Sequence, residues 1–446
     1  MHIAIIGNGI SGISCARWIR KLSDHRITVI SSESEHFYSR TALMYIYMGH
    51  MRYQDTKPYE DHFWKKNRIN LLKDHVNSID YNEKQLTMSS GHQVHYDKLV
   101  LALGSKSNKF GWPGQDLQGV SGLYSLQDLE NMEAHSEGLN RAVIVGGGLI
   151  GIEMAEMFHS RHIPVTILIR EDSYWNNVLP AEESAMITRH IRHHHIDLRT
   201  GVNLQEIIDD GHGKASAVIV KETGERIDCG YVGLTPGVSP NIGWIKGGPI
   251  ETDRGILVDD HLQTSVSDIY ALGDCAQIRD PKPGRRGIEA IWYTGRMMGE
   301  TCAYNLCGQE VSYDPGIWFN SAKFLDIEYQ VYGSVPARPD ENLGTVYWEH
   351  PDGDKSIRLM YHLGDETIAG FNLMGVRFRH EVCEKWIATQ TPLEEVVKHL
   401  ELAHFDPEFY HRHEQDFVTA YNQQTGKQIQ LKSSRGLNKV FAFLRS

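Results

Sequence analysis

The chain is poor in the features that would identify several common protein classes. Its six cysteines (Cys15, Cys229, Cys275, Cys302, Cys307 and Cys383) form no CxxC pair and no secreted disulfide framework. That argues against a disulfide-stapled scaffold and against a cysteine-based zinc ribbon. There is no run of about 18 apolar residues of the kind that spans a bilayer. Positive charge is not in excess: 45 Lys and Arg against 57 Asp and Glu leave a net charge of −12. General nucleic-acid binding, which leaves a basic footprint, is therefore not expected. The N-terminus, MHIAIIG, enters an apolar strand at once, with no charged segment ahead of a cleavable apolar one; a cytoplasmic protein is expected. The run His193-His194-His195 sits in a polar helical stretch and reads as a solvated face, so no metal site is expected there. No nucleophilic triad or general-acid dyad is visible.

With 446 residues, 41% hydrophobic and 23% charged, the chain has a globular composition and enough length for two or three domains. Two glycine fingerprints dominate. The first lies in HIAIIGNGISGISCARWIRK, where a β-branched strand runs into Gly7, Gly9 and Gly12 and then a helix. Gly7 permits the tight turn, Gly9 lets a diphosphate approach the backbone, and Gly12 lets the helix pack on the strand, with Ile10 and Ser11 at the helix start. The anion then meets the positive end of that helix. A second strand ends at Ser31, and Glu33 is the candidate acid for ribose hydroxyls.

The second fingerprint lies in RAVIVGGGLIGIEMAEMF, with Gly146, Gly148 and Gly151 at the same spacing and Leu149 and Ile150 opening the helix. Two such units, each followed by another strand, point to two different dinucleotides. A third segment, TSVSDIYALGDCAQ, ends a strand in Gly273-Asp274, where a carboxylate can accept from a ribitol hydroxyl.

These motifs, together with YDKLVLALGS at 96–105, occur here in the order found in the pyridine nucleotide-disulfide oxidoreductase superfamily, which the chain resembles over roughly residues 1–310. The resemblance implies an α/β fold with two Rossmann-like domains, the FAD domain interrupted by the NAD(P) domain, and a C-terminal α+β interface domain. The expected boundaries are 1–115 with 250–315 for FAD, 116–249 for NAD(P)H, 316–405 for the interface domain and 406–446 for a tail. It also implies cofactor contacts at Ala102, Gly104 and Gly237.

Within the superfamily the chain looks most like rubredoxin and ferredoxin reductases and the flavin module of nitrite reductases. FYSRTALM resembles their YxRxxLS signature and places Arg40 along the FAD. No Cys lies between Cys15 and Cys229, where the disulfide reductases carry their reactive pair. Cys302 and Cys307 are five apart in a helix, which turns them about 140° from each other; they read as core cysteines. The lysine that many ferredoxin reductases pair with a helix glutamate is missing. Glu153 has the glutamate's place near the nicotinamide, and Tyr45 falls where the lysine would be. Arg170, in ILIREDSYW, resembles the arginine with which glutathione reductases grip a 2′-phosphate, so NADPH is expected ahead of NADH, with Glu171 beside it opposing the phosphate.

The expected function is an FAD-dependent oxidoreductase. Hydride passes from NADPH or NADH to the flavin N5, and electrons then pass to a separate acceptor, an iron-sulfur or rubredoxin-like protein. The alternatives are a quinone reductase, whose AQxAxQ motif is absent near 289–299, and a redox-sensing flavoprotein acting through partners. Trp318 and Phe319 are candidates for the flavin edge, with a core role as the competing reading. The interface domain is a candidate dimer surface. The tail, basic and apolar at SSRGLNKVFAFLRS, is expected to end in a helix that packs on the body or touches a partner or a membrane surface.

Overall fold

The computed structural model describes residues 1–339, 341–405 and 411–432. The chain opens with strand β1 (His2–Ile6), helix α1 (Ile10–Leu22), β2 (Arg26–Ser31), β3 (Ile69–Lys73) and β4 (Lys98–Leu101). Next come β5 (Ala142–Val145), α2 (Leu149–Ser160), β6 (Val165–Leu168), α3 (Ala181–His193), β7 (Asp197–Arg199), β8 (Tyr231–Leu234), β9 (Ile269–Ala271) and α4 (Trp292–Leu306). The C-terminal part contributes β10 (Phe319–Phe324), β11 (Ile327–Gly333), β12 (Leu343–Glu349), β13 (Ser356–His362), β14 (Ile368–Met374), α5 (His380–Ala388) and α6 (Glu414–Thr425). Two compact units result. One contains 1–145, 157–164 and 204–315; the other contains 146–156, 165–203 and 316–446. This division runs through the 116–249 segment and so does not coincide with the boundaries expected from sequence.

In the first unit, five strands form a parallel sheet in the order β9-β4-β1-β2-β3. Both faces are covered, which is why β1 and β4 read as unbroken Ile, Val and Leu rather than alternating. Ile3, Ile5, Leu99 and Leu101 are fully buried. Helices α1 and α4 cross closely because α4 offers glycines to α1: a Cβ on Gly299 would stand 2.5 Å from the Ser11 carbonyl oxygen. In the same unit β5 pairs in parallel with β8.

In the second unit β6 pairs in parallel with β7. Residues 316 onward form an antiparallel sheet in the order β10-β11-β14-β13-β12. One face carries Ile357, Leu359, Phe371 and Leu373 against Trp386 of α5 and Phe417 and Tyr421 of α6. The described part of the expected tail therefore packs on its own sheet. The basic apolar segment SSRGLNKVFAFLRS lies outside the described residues.

Helix α3 is fastened to that sheet by a buried ion pair. Arg358 Nε and Nη2 donate to Glu183 at 2.7 and 2.8 Å, Nη2 also reaches Glu182 at 2.7 Å, and Nη1 donates to Thr345 Oγ1 at 2.9 Å. Glu183 is wholly buried and Arg358 is 2% exposed. Removing one partner strands the other charge. Arg358→Met is expected to lower unfolding free energy by about 3–5 kcal/mol, and Arg358→Met with Glu183→Leu to recover most of it, as measured by urea denaturation. A loss under about 1 kcal/mol in the single variant would show that the pair carries no such weight.

Candidate functional site

The first cradle forms where β1 runs into α1. Gly7 has φ +114°, its N–H donates to the Ile30 carbonyl at 2.8 Å, and a Cβ there would stand 2.0 Å from the Ala102 oxygen. Gly12 is excluded from side chains in the same way, its Cβ falling 2.1 Å from the Gly7 oxygen. Gly9 is different: no protein atom lies within 4 Å of a Cβ built on it. Gly9 caps α1 without a side-chain hydrogen bond, and the first turn carries no acid. The leading amides and the positive helix end thus face open space, and a diphosphate fits that space.

Around this cradle the structure brings most of the sequence-predicted residues together. Gly273 has φ +73°, and its Cβ would meet Ser11 Oγ at 2.2 Å, so the third motif abuts the first. Asp274 is enclosed, and burial raises its carboxyl above the ordinary range. Its Oδ2 accepts from Tyr124 Oη at 3.2 Å, and that same hydroxyl accepts from the Ser105 amide at 2.8 Å. Gly104 (φ +66°) is constrained by it too, since a Cβ would stand 2.7 Å from Tyr124 Oη. Gly237 (φ +98°) makes the turn whose carbonyl accepts from Asn108 N at 3.0 Å.

Arg40 grips Glu33 with two parallel bonds of 3.0 and 2.6 Å, donates from Nη1 to the Tyr124 carbonyl, and lies 4.5 Å over the Tyr124 ring. Glu33 also accepts from Tyr38 Oη and from the Leu126 amide at 3.0 Å. Burial works against the Glu33 charge, but these donors, led by Arg40, hold its carboxyl below the usual value. The acid expected to face a ribose thus has protein partners on both oxygens and acts as the anchor of Arg40. Tyr124, which joins Arg40, Asp274 and Ser105, was missed from sequence. The readable signal beside it is the capping box Ser125–Asp128, whose acid also accepts from the Tyr124 amide at 2.8 Å.

In the second unit the turn repeats. Gly146 has φ +124° and donates to the Leu168 carbonyl at 3.0 Å. Gly148, like Gly9, has no protein atom within 4 Å of an added Cβ, and the first turn of α2, from Leu149 and Ile150 through buried Gly151, carries no acid. Tyr174 Oη donates to the Gly148 carbonyl at 2.8 Å and fixes the loop. Four residues after the helix start, burial pushes the Glu153 carboxyl up to about 7, with Glu156 adding to the shift. Glu156 is itself paired at 2.7 Å with Lys323 of β10. A lysine–glutamate pair therefore exists on this helix, but it comes from a distant part of the chain and lands one turn beyond Glu153. No local spacing announces it.

Arg170 is 75% exposed in its side chain and donates from Nε to Glu171 at 2.9 Å, while Glu171 is only 21% exposed. Tyr45 stacks on His50 at 6.2 Å. Phe319 is half-buried and packs edge-on against His380 at 4.4 Å. All six cysteines are free.

Two open glycine turns at acid-free helix starts, one beside an enclosed aspartate, define a flavin- and nicotinamide-dependent oxidoreductase. The family model for pyridine nucleotide-disulphide oxidoreductases matches residues 1–299, and the chain belongs to that family. It is 31% identical over 312 residues to the NADH-rubredoxin oxidoreductase of Clostridium acetobutylicum, covering 70% of this chain and 76% of that protein. It is 29% identical over 311 residues to the ferredoxin–NAD(+) reductase component of the biphenyl dioxygenase system of Paraburkholderia xenovorans, covering 69% and 75%. The solved NAD-dependent persulfide reductase from A. fulgidus has the same fold: TM-score 0.83 at 22% identity, over 98% of this chain and 86% of that one.

The glycines separate packing from ligand contact. Gly9→Ala is expected to keep the apoprotein's stability within about 0.5 kcal/mol yet lose flavin, read as the flavin-to-protein absorbance ratio. Gly7→Ala should fail to fold. Gly148→Ala should retain flavin but not be reduced by a nicotinamide nucleotide. Full flavin content in Gly9→Ala would remove the diphosphate from this cradle.

Proposed function

We propose that the chain is an NAD(P)H-dependent reductase that passes electrons, through FAD, to a small iron-sulfur or rubredoxin-like protein in the cytoplasm. The observation that carries this reading is the pair of open glycine turns at Gly9 and Gly148, each at the start of a helix with no acid in its first turn. The relatives named for rubredoxin and ferredoxin support the acceptor class. Free cysteines, none of them beside the FYSRTALM segment, leave a flavin-to-partner route without a thiol relay. No helix among the described residues is long and apolar enough to cross a membrane.

Bound FAD supplies the redox chemistry, accepting hydride from the nicotinamide and giving electrons on. The chain's residues bind and orient. The N-terminal amides of α1 would hold the diphosphate, Asp274 would accept from a ribitol hydroxyl, and Arg40, locked by Glu33 and Tyr124, would stand beside the nucleotide. Glu153 would lie near the nicotinamide, where a carboxylate would favour the positive charge of the oxidised ring. Tyr45 shields the site and has no part in proton transfer. On the choice of nucleotide, Glu171 neutralises Arg170 and repels a 2′-phosphate, which shifts the reading to NADH.

Anaerobic stopped-flow reduction tests both points. NADH is expected to bleach the flavin faster than NADPH, and Glu171→Gln to narrow the difference. The rate should rise with pH through about 7 as Glu153 ionises. Glu153→Gln should be slower by roughly tenfold, ~1.4 kcal/mol in the barrier, and flat across that range. No bleaching with either nucleotide would sink the reductase reading.

A further inference from the structure

Helix α3 ends at His193 and is capped by His194. His190 and His194 are four residues apart, so their rings share one face of the helix. Opposite them stands Asp326, the second residue of the two-residue turn that joins β10 to β11, where Phe324 pairs with Ile327. His194 Nε2 lies 3.0 Å from Asp326 Oδ1, and His190 Nε2 meets the same oxygen. All three ligand atoms lie within 4.8 Å of one another. A tetrahedral ion with bonds near 2.0–2.1 Å holds its ligands about 3.4 Å apart, well inside that span.

Both supports are rigid. Leu325 holds φ +58°, a left-handed conformation costly for leucine, and it is buried with Phe324 beneath it, so the turn has one shape. Trp175, just ahead of α3, packs against Phe324 and Tyr329 of the hairpin at 5.5 and 5.8 Å. The nearby cation Arg189 is taken up by Glu349, and the C-terminal end of α3 favours positive charge.

From this geometry we infer that His190 Nε2, His194 Nε2 and Asp326 Oδ1 form a site for one divalent transition-metal ion of the zinc class, with water completing its shell. Two imidazoles and one carboxylate suit zinc, cobalt or nickel rather than magnesium or calcium. The ion would staple α3 to the β10–β11 hairpin within the second unit and takes no part in hydride transfer. The reading of residues 193–195 as a solvated face holds for His193 and His195, which are exposed. His194 instead turns to His190, a partner outside the run.

The test is titration of chelator-treated, flavin-loaded protein with cobalt chloride, followed by its visible d–d absorption, and with zinc chloride, followed by thermal unfolding. Equimolar cobalt binding that zinc displaces, with a zinc-dependent rise in melting temperature, is expected. His194→Ala and Asp326→Asn should each weaken cobalt binding by more than about tenfold. His193→Ala should leave binding unchanged, and flavin reduction by NADH should be the same with and without metal. Asp326 is exposed in a turn, so its variant folds even if His194→Ala does not. Absence of a cobalt band, or a band that survives in Asp326→Asn, overturns the site.

Discussion

A helix start left bare of side chains, at the turn from β1 into α1, is the constraint on which the rest of the first unit depends. With a net charge of −12, the chain does not surround its cofactors with excess lysine and arginine. It relies on amides at a helix start, and amides reach an anion only where side chains are missing. The glycines divide that work. Gly7 and Gly12 are forced by the protein itself, since the Ala102 and Gly7 carbonyls occupy the space a methyl would need. Gly9 is left open by the protein, and the proposed diphosphate would account for a glycine there.

Once the helix start is fixed, the remaining polar groups are ordered around it by one connected chain of contacts. Glu33 holds Arg40, Arg40 holds the Tyr124 carbonyl, and the Tyr124 hydroxyl joins the Ser105 amide to Asp274. The charged members of this chain are half-buried and each is hydrogen-bonded, which offsets the cost of drawing them away from water. Losing Tyr124 would therefore disturb both the strand end at Ser105 and the aspartate, though it touches neither fingerprint glycine.

The second unit uses buried charge differently. Glu183 with Arg358 and Glu156 with Lys323 tie helices of the middle of the chain to strands of its C-terminal part. Burial, with Glu156 adding to it, pushes the Glu153 carboxyl up to about 7.

Much of this was legible beforehand, because strand, glycine turn and helix are local. A β-branched run, a GxGxxG spacing and an amphipathic helix specify one another within about 20 residues. They were enough to locate Gly7, Gly9, Gly146, Gly148 and Asp274, and to place the chain in its family. What the sequence alone could not determine were partners chosen across long separations. Tyr124 meets Asp274 from 150 residues away and Lys323 meets Glu156 from 167. Glu33, read as a candidate for ribose hydroxyls, also pairs with Arg40, and His194, read with its neighbours in sequence, lies beside His190 and Asp326. Helical and strand periodicity says which face a residue is on. Only the folded chain decides what stands opposite that face, because close packing and the need to pair buried charge are satisfied by whichever side chain the topology delivers there.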